Sequence, residues 1–224
     1  MIALERVDGE VLRIGHRGAA LIASENTIRA FRAAVDHGVD LVEFDVLDLP
    51  RGPLVIAHSD HLDEVSHGAA TGSVRSRTLD ELRAVAPELP TLDEALAFFA
   101  EEAPEVGLHV DLKLTTRLDE LARGLARHGL ERRTVVSSFH VPSLQALARE
   151  APTVRIGFTY PEDKFGVSRR PLLWPTVQAS TGAPTDRAAA TARGVTSAWF
   201  SISVVAPARR SSRGIRDGNV ARSP

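Results

Sequence analysis

The sequence predicts an α/β fold, specifically a TIM (β/α)8-type barrel left incomplete at its C-terminal end. Three observations carry that expectation. Short runs rich in Val, Ile and Leu alternate with helical patterns from about residue 11 to 160, as βα units around a parallel sheet require. Six such runs occur in that span, most of them followed by a helix pattern. Several runs also end on polar residues that their apolar starts do not anticipate: His16-Arg17, then Glu43 and Asp45, then His58. Barrel enzymes place their chemistry at such strand-to-loop junctions.

In chain order, the first strand begins at Val11 and runs into His16-Arg17-Gly18. A loop over 19–25 follows, and Asn26 is the expected N-cap of a helix. That helix carries Ile28, Phe31 and Val35 on one face and stops at His37-Gly38, with Gly38 suited to the left-handed position after a helix. Residues 41–46 read as a strand, Arg51-Gly52-Pro53 as a turn and 54–58 as a third strand. A polar, Gly-bearing excursion over 59–90 holds one short helix near 78–85, and Pro90 announces a helix over 91–102. Next come a strand at 106–114, a helix with Leu118, Leu121 and Leu125 on one face, and its close at His128-Gly129. A strand at 134–139, a helix at 142–150 and a strand at 154–160 complete the alternation.

The register then changes. Residues 180–224 hold seven arginines and two aspartates, a local charge of +5, whereas residues 1–179 carry 20 basic and 27 acidic groups, or −7. The expected organisation is a barrel domain over 1–179 and a poorly ordered Arg/Ala/Ser-rich tail over 180–224, in which only 198–205 is strand-like.

Composition narrows the function classes. With 43% hydrophobic and 25% charged residues and a net charge of −2, nothing calls for a nucleic-acid partner. Cysteine is absent, which rules out thiolate catalysis and cysteine-ligated metal. Any metal is held by oxygen or imidazole. The first six residues carry no basic-then-apolar leader, and no apolar stretch approaches the roughly 20 residues of a membrane span. The expectation is a cytoplasmic protein without stable membrane insertion; its oligomeric state is open.

Strand periodicity assembles a site. Residues two apart in a strand face one side, so Glu43 projects with Asp45, and His109 with Asp111 and Lys113. Three carboxylates, Glu43, Asp45 and Asp111, make a hard oxygen set suited to Mg²⁺ or Ca²⁺. The alternative is a buried ion-pair network with Arg17 and Lys113, disfavoured by the cost of burying so many charges without a ligand. His16 and His58, ending separate strands, offer two imidazoles to divide the work of base and acid. Arg17 and Lys113 suit a phosphate's charge. Of 27 basic residues only Lys113 and Lys164 are lysines, so a lysine inside a strand stands out. His109 is read as a core residue, and His37, His61, His67, His128 and His140 fall in caps or loops.

The ordered set His16-Arg17-Gly18, Glu25-Asn26-Thr27 with Ala30-Phe31, Gly38-Val39-Asp40-Leu41-Val42-Glu43-Phe44-Asp45-Val46 and His58 resembles the glycerophosphodiester phosphodiesterase signature. Thr78-Leu79-x-Glu81-Leu82, Pro90-Thr91-Leu92-x-Glu94, Asp111-x-Lys113 and Ser137-Ser138-Phe139 resemble its later landmarks, so the likeness covers about residues 11–175. The resemblance implies a metal-dependent barrel enzyme that hydrolyses small glycerophosphodiesters to an alcohol and sn-glycerol 3-phosphate, in lipid and glycerol metabolism. It implies Glu43, Asp45 and Asp111 as metal ligands, His16 and His58 as the catalytic pair, and Arg17 and Lys113 at the phosphate.

Three departures accompany the match. The third metal carboxylate is usually glutamate and here is Asp111; the residue after the second histidine is often aspartate and here is Ser59. The family also closes with Trp-Thr-Val-Asn-like and Gly-Val-Asp-Gly-Ile-like strands, and neither follows residue 180. One or two barrel strands are therefore expected to be missing, with a sheet edge exposed. Two other functions stand beside the diesterase: a barrel phospholipase of the sphingomyelinase D type, and a non-catalytic barrel fragment.

Overall fold

The computed structural model describes residues 12–159 and the backbone of residues 202–205. Its elements are β1 (Ile14–Gly15), α1 (Ile28–Asp36), β2 (Leu41–Asp48), β3 (Leu54–Ile56), α2 (Leu62–Val65), α3 (Leu79–Arg83), α4 (Leu92–Glu101), β4 (Gly107–Leu112), α5 (Leu118–Arg127), β5 (Thr134–Ser138), α6 (Val141–Glu150), β6 (Arg155–Thr159) and β7 (Ile202–Val205). Strands β1, β2, β4, β5 and β6 are neighbours in that order and all parallel. They are five successive staves of a (β/α)8-type barrel, with helices on the crossovers.

One expected strand has another role. β3 runs antiparallel to the end of β2, pairing Ile56 with Val46 and Leu54 with Asp48. β4 occupies the opposite edge of β2 at Val46, so β3 shares an edge with β1, which pairs only with Leu41 and Val42. Turn residues Arg51-Gly52-Pro53 make this a hairpin rather than a crossover, and a hairpin reverses direction. β3 thus folds back over the mouth of the barrel and delivers His58 there. Of the strand-like segment 198–205, Ile202–Val205 pairs antiparallel with β6; the rest of the expected tail lies outside the described residues.

The helices begin where side chains satisfy their first N–H groups. α3 and α4 open with full capping boxes, Thr78 with Glu81 and Thr91 with Glu94, which gives a physical meaning to two of the landmarks read from sequence. α1 departs from expectation: Thr27, not Asn26, is the cap, its hydroxyl accepting the Ala30 N–H at 3.1 Å. A further short helix, α2, lies unanticipated in the 59–90 excursion.

Alternation along the strands separates two environments. Val42, Phe44, Val46, Leu108, Val110, Leu112 and Val136 turn outward into the main core, where Phe31 of α1 and Phe99 of α4 close over Phe44 and Phe98 packs against both of them. Phe44 and Phe99 stack with centroids 5.7 Å apart. A second core under β3, built on Leu47, Val55, Leu62, Leu82 and Leu89, anchors the excursion. Among the described residues no helix is long and apolar enough to cross a membrane.

Candidate functional site

With the apolar positions of β2 and β4 spent on the outer core, the intervening residues face the barrel axis. In-register pairing sets Glu43 beside His109 and Asp45 beside Asp111, and β5 adds Ser137 beside Asp111. Glu43, Asp45 and Asp111 are buried, Asp45 to within 1% of full burial. One carboxylate oxygen from each lies within 4.8 Å of the others.

Cations and donors crowd this cluster. Lys113 Nζ donates to Asp111 Oδ2 at 2.7 Å and lies 3.1 Å from Asp45 Oδ1. The Arg17 backbone N–H donates to Glu43 Oε2 at 2.8 Å, its Nη1 donates to Glu25 Oε1 at 2.8 Å, and its Nε lies 3.4 Å from Asp45 Oδ2. Arg17 Nε is buried and makes no hydrogen bond within the protein. Asn26 Nδ2 donates to Asp45 Oδ2 at 2.9 Å while its Oδ1 accepts the Asp45 N–H at 3.3 Å.

The loop that supplies Arg17 and Asn26 is held in an unusual backbone shape. Both residues are left-handed, with φ of 53° and 56°, a region few non-glycine residues occupy. Gly18 between them has φ 82°, and a Cβ there would lie 2.6 Å from the carbonyl carbon of Ala30. Only glycine lets this loop pass so close to α1.

The cluster's electrostatics follow from burial. Burial, with the charges of Asp45 and Asp111, pushes the Glu43 carboxyl up to about 8, against the pull of the Arg17 N–H. Lys113 is penalised by burial, yet Asp45 and Asp111 outweigh this and raise it above its ordinary value. Three hard carboxylate oxygens with one lysine fit a small divalent cation, whose charge would offset their mutual repulsion.

The histidines occupy the rim. His16 Nε2 lies 3.8 Å from Glu43 Oε2 with its side chain half-exposed. Burial and the charge of Arg17 lower His16 below its ordinary value, against Asp45 and Glu25. His58 Nδ1 lies 3.2 Å from Glu64 Oε2 on α2. All seven residues singled out in the sequence (His16, Arg17, Glu43, Asp45, His58, Asp111 and Lys113) thus stand at or around the C-terminal ends of the parallel strands.

Three further residues adjoin the site without having been assigned to it. His109 is buried, as its reading as a core residue expects, and its Nε2 lies 2.8 Å from Ser137 Oγ, which donates to Asp111 Oδ1 at 3.0 Å. Burial drives His109 down to about 4, so it is neutral near pH 7. Strand parity was the available signal for Ser137, since it sits in register with Asp111. For Glu64 no periodicity was available, because it reaches the site from a four-residue helix in the excursion.

Comparison with known proteins identifies the family. The profile of the Glycerophosphoryl diester phosphodiesterase family matches residues 16–174. A glycerophosphodiester phosphodiesterase from Caldanaerobacter subterraneus is 29% identical over 165 residues, 67% of each chain. The crystal structure of a glycerophosphodiester phosphodiesterase from Agrobacterium tumefaciens superposes with a TM-score of 0.56 at 28% identity, covering 64% of each chain. An Oleispira antarctica phosphodiesterase in complex with the product sn-glycerol-3-phosphate superposes with a TM-score of 0.56 at 23% identity over 76% of this chain and 71% of that one. The chain spans about two thirds of the length of the curated relatives it matches, 67% of one and 62% of another.

Proposed function

The chain belongs to the glycerophosphoryl diester phosphodiesterase family, a family of phosphoric diester hydrolases, and from that premise we propose that it hydrolyses small glycerophosphodiesters to an alcohol and sn-glycerol 3-phosphate. The observation that carries this is the convergence of Glu43, Asp45 and Asp111 within 4.8 Å at a barrel mouth that also presents Arg17, Lys113, His16 and His58. The Oleispira neighbour, named with sn-glycerol-3-phosphate as product, supports the glycerol phosphate half of the substrate. The names of the matched relatives favour the diesterase over a sphingomyelinase D-like phospholipase.

Glu43, Asp45 and Asp111 would hold Mg²⁺ or Ca²⁺, which supplies Lewis-acid charge for a phosphate oxygen when bound. Arg17 and Lys113 would bind the phosphodiester; the buried Arg17 Nε, free of hydrogen bonds in the protein, is a donor suited to a phosphate oxygen. One histidine of the His16/His58 pair takes the proton from the attacking oxygen, either water or the neighbouring glycerol hydroxyl. As that oxygen bonds to phosphorus, the bond to the leaving alcohol breaks and the other histidine gives that alcohol its proton. Attack by the glycerol hydroxyl forms a cyclic phosphate, which water then opens.

The test is turnover of glycerophosphocholine by the purified full chain with Mg²⁺ or Ca²⁺ and with chelator, beside sphingomyelin. Metal-dependent release of choline and sn-glycerol 3-phosphate is expected. Release of choline and ceramide 1-phosphate, or its cyclic phosphate, from sphingomyelin alone would favour the phospholipase, and no turnover of either by folded protein would favour the non-catalytic fragment.

A further inference from the structure

Glu64 enters the site from α2 and meets His58 at its Nδ1, 3.2 Å from Glu64 Oε2. The same carboxylate oxygen accepts the Ser59 hydroxyl at 2.7 Å, and Ser59 Oγ in turn accepts the His61 N–H at 3.1 Å. The carboxylate is thereby braced by Ser59, which the His61 N–H in turn anchors, and it meets His58 with the same oxygen. The Ser59 hydroxyl supplies the O–H that Glu64 accepts, whereas an ionised carboxylate at 59 would have no donor and would set two negative charges side by side. His58 and Glu64 line one cavity with Glu25, Asn26 and Thr27, and Asn26 also donates to Asp45 of the carboxylate cluster at 2.9 Å.

We propose that Glu64 is a positioning residue for His58: braced by Ser59, it holds the imidazole with Nδ1–H toward α2 and so presents Nε2 to the substrate. The inference rests on the acid–base role proposed for His58. A neutral imidazole has one donor and one acceptor nitrogen, and an ionised carboxylate only accepts. The pair therefore selects the Nδ1–H tautomer, leaving Nε2 as the nitrogen that takes or gives the reaction proton. When His58 carries both protons, Glu64 also stabilises the imidazolium.

Two readouts test this on the full chain with Mg²⁺ present. In E64A, kcat on glycerophosphocholine should fall roughly 10–100-fold with KM little changed, the scale known for removing the carboxylate that orients a metal-bound histidine. E64Q, which keeps a carbonyl acceptor for Nδ1–H but not the charge, should retain more kcat than E64A, and S59A should fall between wild type and E64A. Independently, ¹⁵N NMR of the His58 ring should show the Nδ1–H tautomer in wild type and its loss in E64A; H58A identifies the signal. An unchanged tautomer in E64A, or a kcat within about twofold of wild type, overturns the proposal. H58A separates the levels: turnover surviving H58A overturns the acid–base reading itself, whereas turnover lost in H58A but intact in E64A overturns only the role of Glu64.

Discussion

Asp45 and Asp111 stand directly opposite one another on adjacent parallel strands, and Lys113 Nζ sits against both carboxylates at 3.1 and 2.7 Å. Register alone forces this meeting: a one-residue slip would exchange both carboxylates for apolar neighbours on the outer face. With Glu43 added, one lysine and the Arg17 side chain face three buried carboxylates. A divalent cation is the economical remedy, because it serves all three at once.

Adding Mg²⁺ or Ca²⁺ to chelator-treated protein should therefore raise the melting temperature. A cation at 100 times its dissociation constant stabilises by about 2.7 kcal/mol, equivalent to roughly 5–10 °C for a chain of this size. E43Q and D45N should shrink that shift, as measured by differential scanning calorimetry. A shift of equal size in D45N would place the cation elsewhere.

Replacing either rim histidine should separate chemistry from metal binding. H16A and H58A are each expected to lower kcat by roughly 10²–10⁴-fold while keeping the metal-induced rise in melting temperature. Steady-state kinetics beside thermal scans decide it, and near-normal turnover in either variant would remove that histidine from the mechanism.

How much of this was legible in the sequence depended on whether a residue's role is set by strand parity or by loops. Glu43, Asp45, Asp111 and Lys113 were legible because alternation along β2 and β4 fixes which side chains face inward. The same parity put His109 on the inner face, where its buried position matches a core reading and Ser137 and Asp111 supply its polar surroundings. β3 was legible as a strand but its direction was not, because a short apolar run looks alike whether its partner is parallel or antiparallel. Asn26 looked like a cap because asparagine suits both caps and the left-handed region, and local sequence does not distinguish them.

Asn26 offers a prediction that separates those two properties. N26A loses the buried contacts to Asp45 and places a Cβ-bearing residue without a compensating side chain at φ 56°. Left-handed strain of about 1–2 kcal/mol and about 1–3 kcal/mol for the buried polar group left behind should lower the urea midpoint with little change in slope. N26G removes the same contacts without the strain, and should be the less destabilised of the two. Equal midpoints for N26A and N26G would mean the backbone shape costs nothing.

The capping box of α4 carries the pH dependence. Burial raises the Glu94 carboxyl, but the Thr91 N–H and hydroxyl and the Arg83 guanidinium outweigh it and hold Glu94 below its ordinary 4.5. A carboxyl depressed on folding adds stability above its unfolded value, and that stability is lost as pH falls through the folded value. E94Q should thus cost about 0.5–1 kcal/mol near pH 6, the scale of a helix cap on a half-exposed side chain, and progressively less as pH drops below 4.5. α4 supplies Phe98 and Phe99 to the core behind Phe44, so loosening its first turn is felt at β2, the strand that carries Glu43 and Asp45. Urea unfolding of wild type and E94Q at pH 6 and pH 3.5 measures the difference; the same gap at both pH values would show that the charge on Glu94 plays no part in the cap.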